Sequence, residues 1–323
     1  MKAYVMIAVI ALAMLLSGCQ TGNDSVGNNW KTFIGGTEGV QAHFDIDTPP
    51  DELNIGDEFN TVVVLENMGE HTVPANEYFV RIMGVSPEAF GTTASALIVR
   101  GSDVGEDLQA NEMNPDTGET IESYPVYLTI PQSGMMRYSE GIAGNMDFTF
   151  QAEICYQYQT VANGKLCVKR DLTKSSDTNV CTISGPQMIT SSGAPVQITN
   201  LREFSGGREA VRFGFTVVAA NTGGKISAPG SDCSIARTDE NKIHVTISTG
   251  LSGLRCNGLL DQTNERDGTV SGVVALSSGS RQIMCTQNLE GHHESDYVKI
   301  IEITADYDYD QTIQKKVLMK RVE

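Results

Sequence analysis

The chain has 323 residues, with 23 Lys and Arg against 40 Asp and Glu and a formal net charge of −17. That balance argues against nucleic acid as a partner, because such binding draws its affinity from basic patches, and it repels anionic lipid headgroups. Hydrophobic residues at 40% and charged residues at 20% are ordinary for a folded globular body.

At the N-terminus, residues 3–16 carry no charge and lie between Lys2 and the small pair Ser17-Gly18, the three-part layout of an export signal. The run is shorter than the ~20 apolar residues that a spanning helix needs. Leu16-Ser17-Gly18-Cys19 resembles the lipobox of secreted lipoproteins, which implies acylation of Cys19 as the first residue of the mature chain. Ordinary cleavage after the small residues is the alternative. Residues 1–18 are therefore expected to form a lipoprotein signal peptide, and residues 19–32 a lipidated cysteine and flexible tether. Each buried acyl methylene contributes roughly 0.8 kcal/mol, so two or more chains hold a protein permanently. Residues 20–29 are polar and glycine-containing, and such a segment has a root-mean-square reach of about 17 Å.

From Trp30 onward, short β-rich runs alternate with turn residues. In the first half they are Val40–Ile46, Phe59–Glu66, Tyr78–Met83, Ala96–Val99, Val126–Ile130, Phe148–Tyr158 and Leu166–Val168. Phe148, Phe150, Ala152, Ile154 and Tyr156 alternate with more polar neighbours, the period of a half-buried strand. Asn163-Gly164 reads as a tight hairpin turn between the last two runs. Residues 171–195 are polar and turn-rich and are expected to link two domains. A second series follows: Val196–Phe204, Ala210–Asn221, Ile243–Thr249, Val270–Ser277, Gln282–Asn288, Val298–Tyr309 and Thr312–Val322. Two such series with little 3.6-residue periodicity predict an all-β protein of two tandem immunoglobulin-like antiparallel sandwiches, residues 33–170 and 196–323.

Setting Cys19 aside leaves Cys155, Cys167, Cys181, Cys233, Cys256 and Cys285, an even number in an exported chain. No two have the spacing of a zinc knuckle, so disulfides are the expectation. A turn at Asn163-Gly164 would set Cys167 opposite Thr160, disfavouring a Cys155–Cys167 bridge and leaving Cys167–Cys181 as the better local pairing.

The halves also share a faint repeat. Phe59–Glu66 runs into Asn67-Met68-Gly69, and Val211–Val218 runs through two alanines into Asn221-Thr222-Gly223. A strand ending in Asn-x-Gly suits a chain that must reverse, since both residues tolerate positive φ. Here the sequence resembles the CARDB-like immunoglobulin-type modules found in tandem on prokaryotic, and especially archaeal, surface proteins. With the lipobox, the chain resembles cell-surface lipoproteins built from two such modules. That resemblance implies adhesion, spacing or assembly, and it brings no catalytic residue with it.

Candidate chemistry is sparse. The acidic stretch 101–119 offers Asp103, Glu106, Asp107 and Asp116 as weak calcium ligands, without the fixed glycine and terminal glutamate of an EF-hand. Asp306, Asp308 and Asp310 alternate along one strand face, and a wet surface opposed by Lys315 and Lys316 of a following strand is the plainer reading. His292-His293 point to opposite faces if extended, which disfavours a shared ion. No Gly-x-Ser-x-Gly elbow, His-Glu-x-x-His pair or phosphate loop occurs. The expectation is a non-catalytic, lipid-anchored protein on the extracytoplasmic surface, without a cofactor. Its partners would be the membrane through the anchor, and envelope proteins or surface polymers. The alternative is a lipoprotein that captures a peptide or glycan at the domain junction.

Overall fold

The computed structural model describes residues 32–169, 180–183, 185–233, 236, 238–264, 267–291 and 295–321. The expected signal peptide, Cys19 and all of the expected tether before Thr32 lie outside them, as do residues 171–179 and 184 of the expected linker and the pair His292-His293. Residues 32–323 form one compact unit.

The fold is all-β, with several largely antiparallel sheets arranged as in a β-sandwich. It is organised around two strands of exceptional length, Met146–Val168 and Tyr297–Lys320, which pair antiparallel from Met146 opposite Met319 to Val168 opposite Tyr297. Around this ribbon a ten-stranded sheet extends on one side through Lys242–Ser248, Thr269–Ala275 and Leu260–Asn264. On the other it continues through Tyr78–Met83 to Ile98–Arg100. Strands from both halves of the sequence thus share one sheet. Val40–Phe44, Thr61–Asn67 and Val126–Ile130 form a three-stranded sheet. Gly185–Pro186, Val196–Ser205, Ala210–Ala219, Ser280–Asn288 and Leu254–Asn257 form a five-stranded one.

The alternation noted at Phe148–Tyr156 explains how the ribbon packs. Successive side chains take opposite faces of a strand, so Phe150, Ala152, Ile154, Tyr156 and Tyr158 enter the core, as do Ile301, Ile303, Ala305, Tyr307 and Tyr309 from the partner strand. Tyr156 lies opposite Tyr309, and Tyr158 opposite Tyr307. Their ring centroids are 5.6 Å and 6.3 Å apart, within the range of favourable aromatic contact. Buried phenols need partners. Tyr156 accepts from Val40 N at 3.2 Å, Tyr307 accepts from Val196 N at 3.2 Å, and Tyr158 donates to Asn67 Oδ1 at 3.0 Å.

The hairpin expected at Asn163-Gly164 does not form. Both residues lie inside the long strand, opposite Glu302 and Ile301. A Cβ on Gly164 would sit 2.7 Å from Leu201 Cδ2 and 3.2 Å from Ile301 Cγ1, so glycine is required there for close packing and not for a turn. Likewise, the two runs expected at Val298–Tyr309 and Thr312–Val322 are one strand, and Lys315 and Lys316 continue the aspartate row's own strand.

The six cysteines after Cys19 are all paired: Cys155–Cys233, Cys167–Cys181 and Cys256–Cys285. The expected Cys167–Cys181 bridge is therefore present. Three disulfides fit an oxidising, extracytoplasmic environment. Among the described residues no helix is long and apolar enough to cross a membrane.

Candidate functional site

The outward face of the ribbon carries the aspartate row, and the structure overturns its reading as a wet surface. Asp308 is 2% exposed and Asp310 is 9% exposed. What covers Asp308 is the segment Gly230–Cys233, held down by the Cys155–Cys233 disulfide, with Asp232 and Cys233 both at positive φ. Asp308 stabilises this turn by accepting hydrogen bonds from Gly230 N at 2.9 Å, Ser231 Oγ at 3.0 Å and Cys233 N at 3.3 Å. Clustered backbone N–H groups are a natural seat for an anion, and here the chain's own carboxylate fills it. Asp306, at the open end, accepts from Gln159 Nε2 at 2.7 Å and lies 4.0 Å from His244 Nδ1.

Beside Asp310 lies an ion pair that the sequence did not suggest. Arg81 Nε donates to Glu153 Oε2 at 2.6 Å, and a second guanidinium nitrogen closes the pair. Arg81 and Arg100 also stack on Phe79, with centroid distances of 5.8 Å and 5.4 Å. Burial pushes the Asp310 carboxyl above the usual range, Glu153 adds to that, and Lys225 and Arg81 oppose it. Among the described residues Asp310 Oδ1 finds no hydrogen-bond partner.

Phe79, Arg100 and Asp308 line a cavity of about 250 Å³ together with Asn76, Glu77, Tyr78, Cys155, Gln157, Gly230 and Asp232. Burial, reinforced by Asp308, raises the Glu77 carboxyl. The cavity is polar, with one guanidinium and three carboxylates, and the disulfide forms part of its wall. It suits a small polar or cationic guest. Among the described residues its lining holds no histidine or lysine, and its cysteine is oxidised.

The suggested calcium ligands are dispersed. Asp103 accepts from Arg100 N at 2.8 Å at the start of the short helix Gly101–Val104, and Asp107 accepts from Ala75 N at 2.8 Å. Glu106 contributes its backbone carbonyl to the Tyr78 hydroxyl at 2.7 Å, and Asp116 lies exposed in the next turn. Among the described residues no group of three or more His, Cys, Asp or Glu is placed to hold a metal ion. His71, T-stacked on Tyr158 with centroids 5.2 Å apart, has its pKa lowered by burial, against an opposing pull from Asp306.

The residues that sequence reasoning missed are Phe79, Arg81, Arg100 and Glu153. Only the register that sets Arg81 opposite Glu153, and the fold that brings Ile98–Arg100 alongside, unite them.

No protein-family profile matches the sequence, and no curated protein does. Among solved structures, the secreted serine protease VesC from Vibrio cholerae aligns at 6% identity and a TM-score of 0.18, over 88% of this chain and 52% of that one. Escherichia coli alpha-2-macroglobulin activated by porcine elastase aligns at 9% identity and a TM-score of 0.10, over 87% of this chain and 32% of that one. The chain thus spans about half the length of VesC and a third of the macroglobulin. Neither likeness is close enough to define the fold or to bear on activity.

Proposed function

We propose that the protein is a non-catalytic module of the cell surface, anchored through lipid on Cys19, that serves in interaction, adhesion or envelope structure. In this reading, residues 33–170 and 196–323 are two immunoglobulin-like modules of the CARDB-like kind, fused along the ribbon. The observation that carries the proposal is the construction of the body. One strand from each half pairs along its whole length, and Cys155–Cys233 adds a second tie between the halves. Such a body is built to keep its shape, and a spacer or adhesive surface needs that property.

The ligand-capturing alternative rests on a separate observation. Phe79 and Cys155 of the first half meet Gly230 and Asp308 of the second in the polar cavity. At about 250 Å³ it is smaller than the roughly 300–1,000 Å³ of most small-molecule sites, which favours the first reading.

The test is extraction of native membranes in mild detergent, followed by sizing and mass spectrometry of what travels with the chain. Stoichiometric partners or a large homo-assembly are expected, and Cys19→Ser should release the protein from the membrane fraction. A lone monomer would count against the interaction role, and a Cys19→Ser chain that stayed on the membrane would refute the anchor.

A further inference from the structure

The five-stranded sheet has an outward face whose charge is opposite to that of the molecule. The chain as a whole carries a net charge of −17. Yet the strands Val196–Ser205, Ala210–Ala219, Leu254–Asn257 and Ser280–Asn288 contain Arg202, Arg212, Arg255 and Arg281, and a single carboxylate, Glu203. Glu203 is fully buried on the inner face. On the outer face the register aligns Phe204, Arg212, Thr286 and Arg255 in one row across the strands, and Arg202 lies one step along, opposite Gly214. Arg202, Arg212 and Arg255 are exposed and make no ion pair among the described residues. With strands about 4.8 Å apart, Arg212 and Arg255 stand about 10 Å from each other at the backbone, and Arg202 lies about 7–8 Å diagonally from Arg212.

The surface between the arginines is partly apolar. A Cβ on Gly214 would lie 2.4 Å from Met284 Sδ, so Met284 rests across the glycine. Phe204 is 40% exposed. An open depression of about 440 Å³, with Glu209, Arg255, Thr286 and Asn288 in its lining, continues the row.

We infer that this face docks an acidic polysaccharide, a polymer bearing one carboxylate or sulfate per repeat. Guanidinium groups fork onto carboxylate and sulfate oxygens with two parallel hydrogen bonds. Arginines spaced along and across a sheet meet charges spaced along a polymer, whereas a single phosphate or lipid headgroup calls for arginines that converge. Phe204 and Met284 present apolar surface to the C–H face of a sugar ring, and Thr286 supplies a hydroxyl for its hydroxyls. The acidic remainder of the molecule repels the same polymer, which confines it to this one face. The inference rests on the surface-interaction role proposed above and names the class of partner.

The test uses the full chain in detergent, with polygalacturonate as the probe, dextran as the neutral control and phosphatidylglycerol vesicles as the lipid control. Polygalacturonate should bind at low salt and be released as salt rises, and dextran should not bind. Arg212→Ser and Arg255→Ser should each weaken binding roughly five- to tenfold, and the double variant more than tenfold, because each loses one forked contact. Arg137→Ser, exposed on a separate strand, should leave binding unchanged. Unchanged melting of the variants checks that the fold is intact. The inference is overturned by no binding at low salt, by equal binding of dextran, by vesicles binding in place of the polymer, or by a double variant that binds as well as the parent. It is also overturned if the double variant instead dissolves a homo-oligomer, which would give the face to a second copy. Stoichiometric partners in native extracts, together with failure on polygalacturonate, would sink this inference alone and leave the interaction role standing.

Discussion

The hydroxyl of Tyr158 donates to Oδ1 of Asn67 at 3.0 Å across 91 residues of sequence, with both side chains buried. Asn67 also accepts from Gly69 N at 3.1 Å, and its amide donates to the carbonyls of His71 at 2.7 Å and Leu108 at 3.1 Å. Every hydrogen-bonding position of the side chain is used. The tyrosine core, the end of Thr61–Asn67 and the segment entering Leu108 are joined at this one residue. Gly69 is part of the same joint, since a Cβ there would fall 2.6 Å from Gly193 O and 2.7 Å from Glu38 O.

Asn67→Ala should therefore cost about 3 kcal/mol of stability, because it strands the His71 carbonyl, the Gly69 amide and the Tyr158 hydroxyl, while Leu108 O keeps its bond from Val73 N. Tyr158→Phe should cost only about 1 kcal/mol, since Gly69 N still serves Asn67 Oδ1. Urea denaturation of the two variants measures the difference. Equal losses would mean that the joint is ordinary packing.

The same residue shows what could be read from the sequence. The Asn-x-Gly repeat is real as local chemistry: Asn221 Oδ1 accepts from Gly223 N at 2.8 Å, as Asn67 does from Gly69. Tyr78–Met83 and Val126–Ile130 occur where β-rich runs between turn residues placed them, the second with one buried face and the first buried on both faces at Tyr78, Phe79 and Val80. Asn163-Gly164 misled because its local preference is for a turn, while Leu201 and Ile301, distant in sequence, need the missing side chain at Gly164. The burial of Asp308 was equally hidden, since it depends on a bridge from Cys155 to Cys233, a separation of 78 residues that no local pattern announces.

That bridge should be the costliest of the three to lose. In the chain-entropy account a disulfide stabilises by restricting the unfolded chain, more so for longer loops. For a separation of 78 residues the expected loss in Cys155→Ala/Cys233→Ala is about 4.5 kcal/mol, against about 3 kcal/mol for Cys167→Ala/Cys181→Ala at a separation of 14. The first variant should also free the Gly230 and Cys233 amides from Asp308, which hydrogen exchange reads directly. A smaller loss for the long loop than for the short one would overturn the ranking.

Glu203 sets a pH dependence with a definite sign. Its carboxylate is fully buried, and both oxygens accept from Cys167 N, at 3.0 Å and 2.9 Å. Burial pushes its pKa from 4.5 up to about 7, with the Cys167 hydrogen bond opposing the rise. Between those values the folded chain holds a proton that the unfolded chain has released, so stability falls as pH rises through this window and levels off above it. The contribution is about 3 kcal/mol between the two plateaus. Asp310 and Glu77, also raised, act in the same direction, while the lowered His71 acts in the opposite one. Comparison with Glu203→Gln isolates the term, since the glutamine oxygen still accepts from Cys167 N and carries no charge. The variant should match the parent near pH 4.5, exceed it by about 3 kcal/mol above pH 7, and lose most of the slope between. Parallel stability curves for the two proteins would show that the buried carboxyl ionises without penalty.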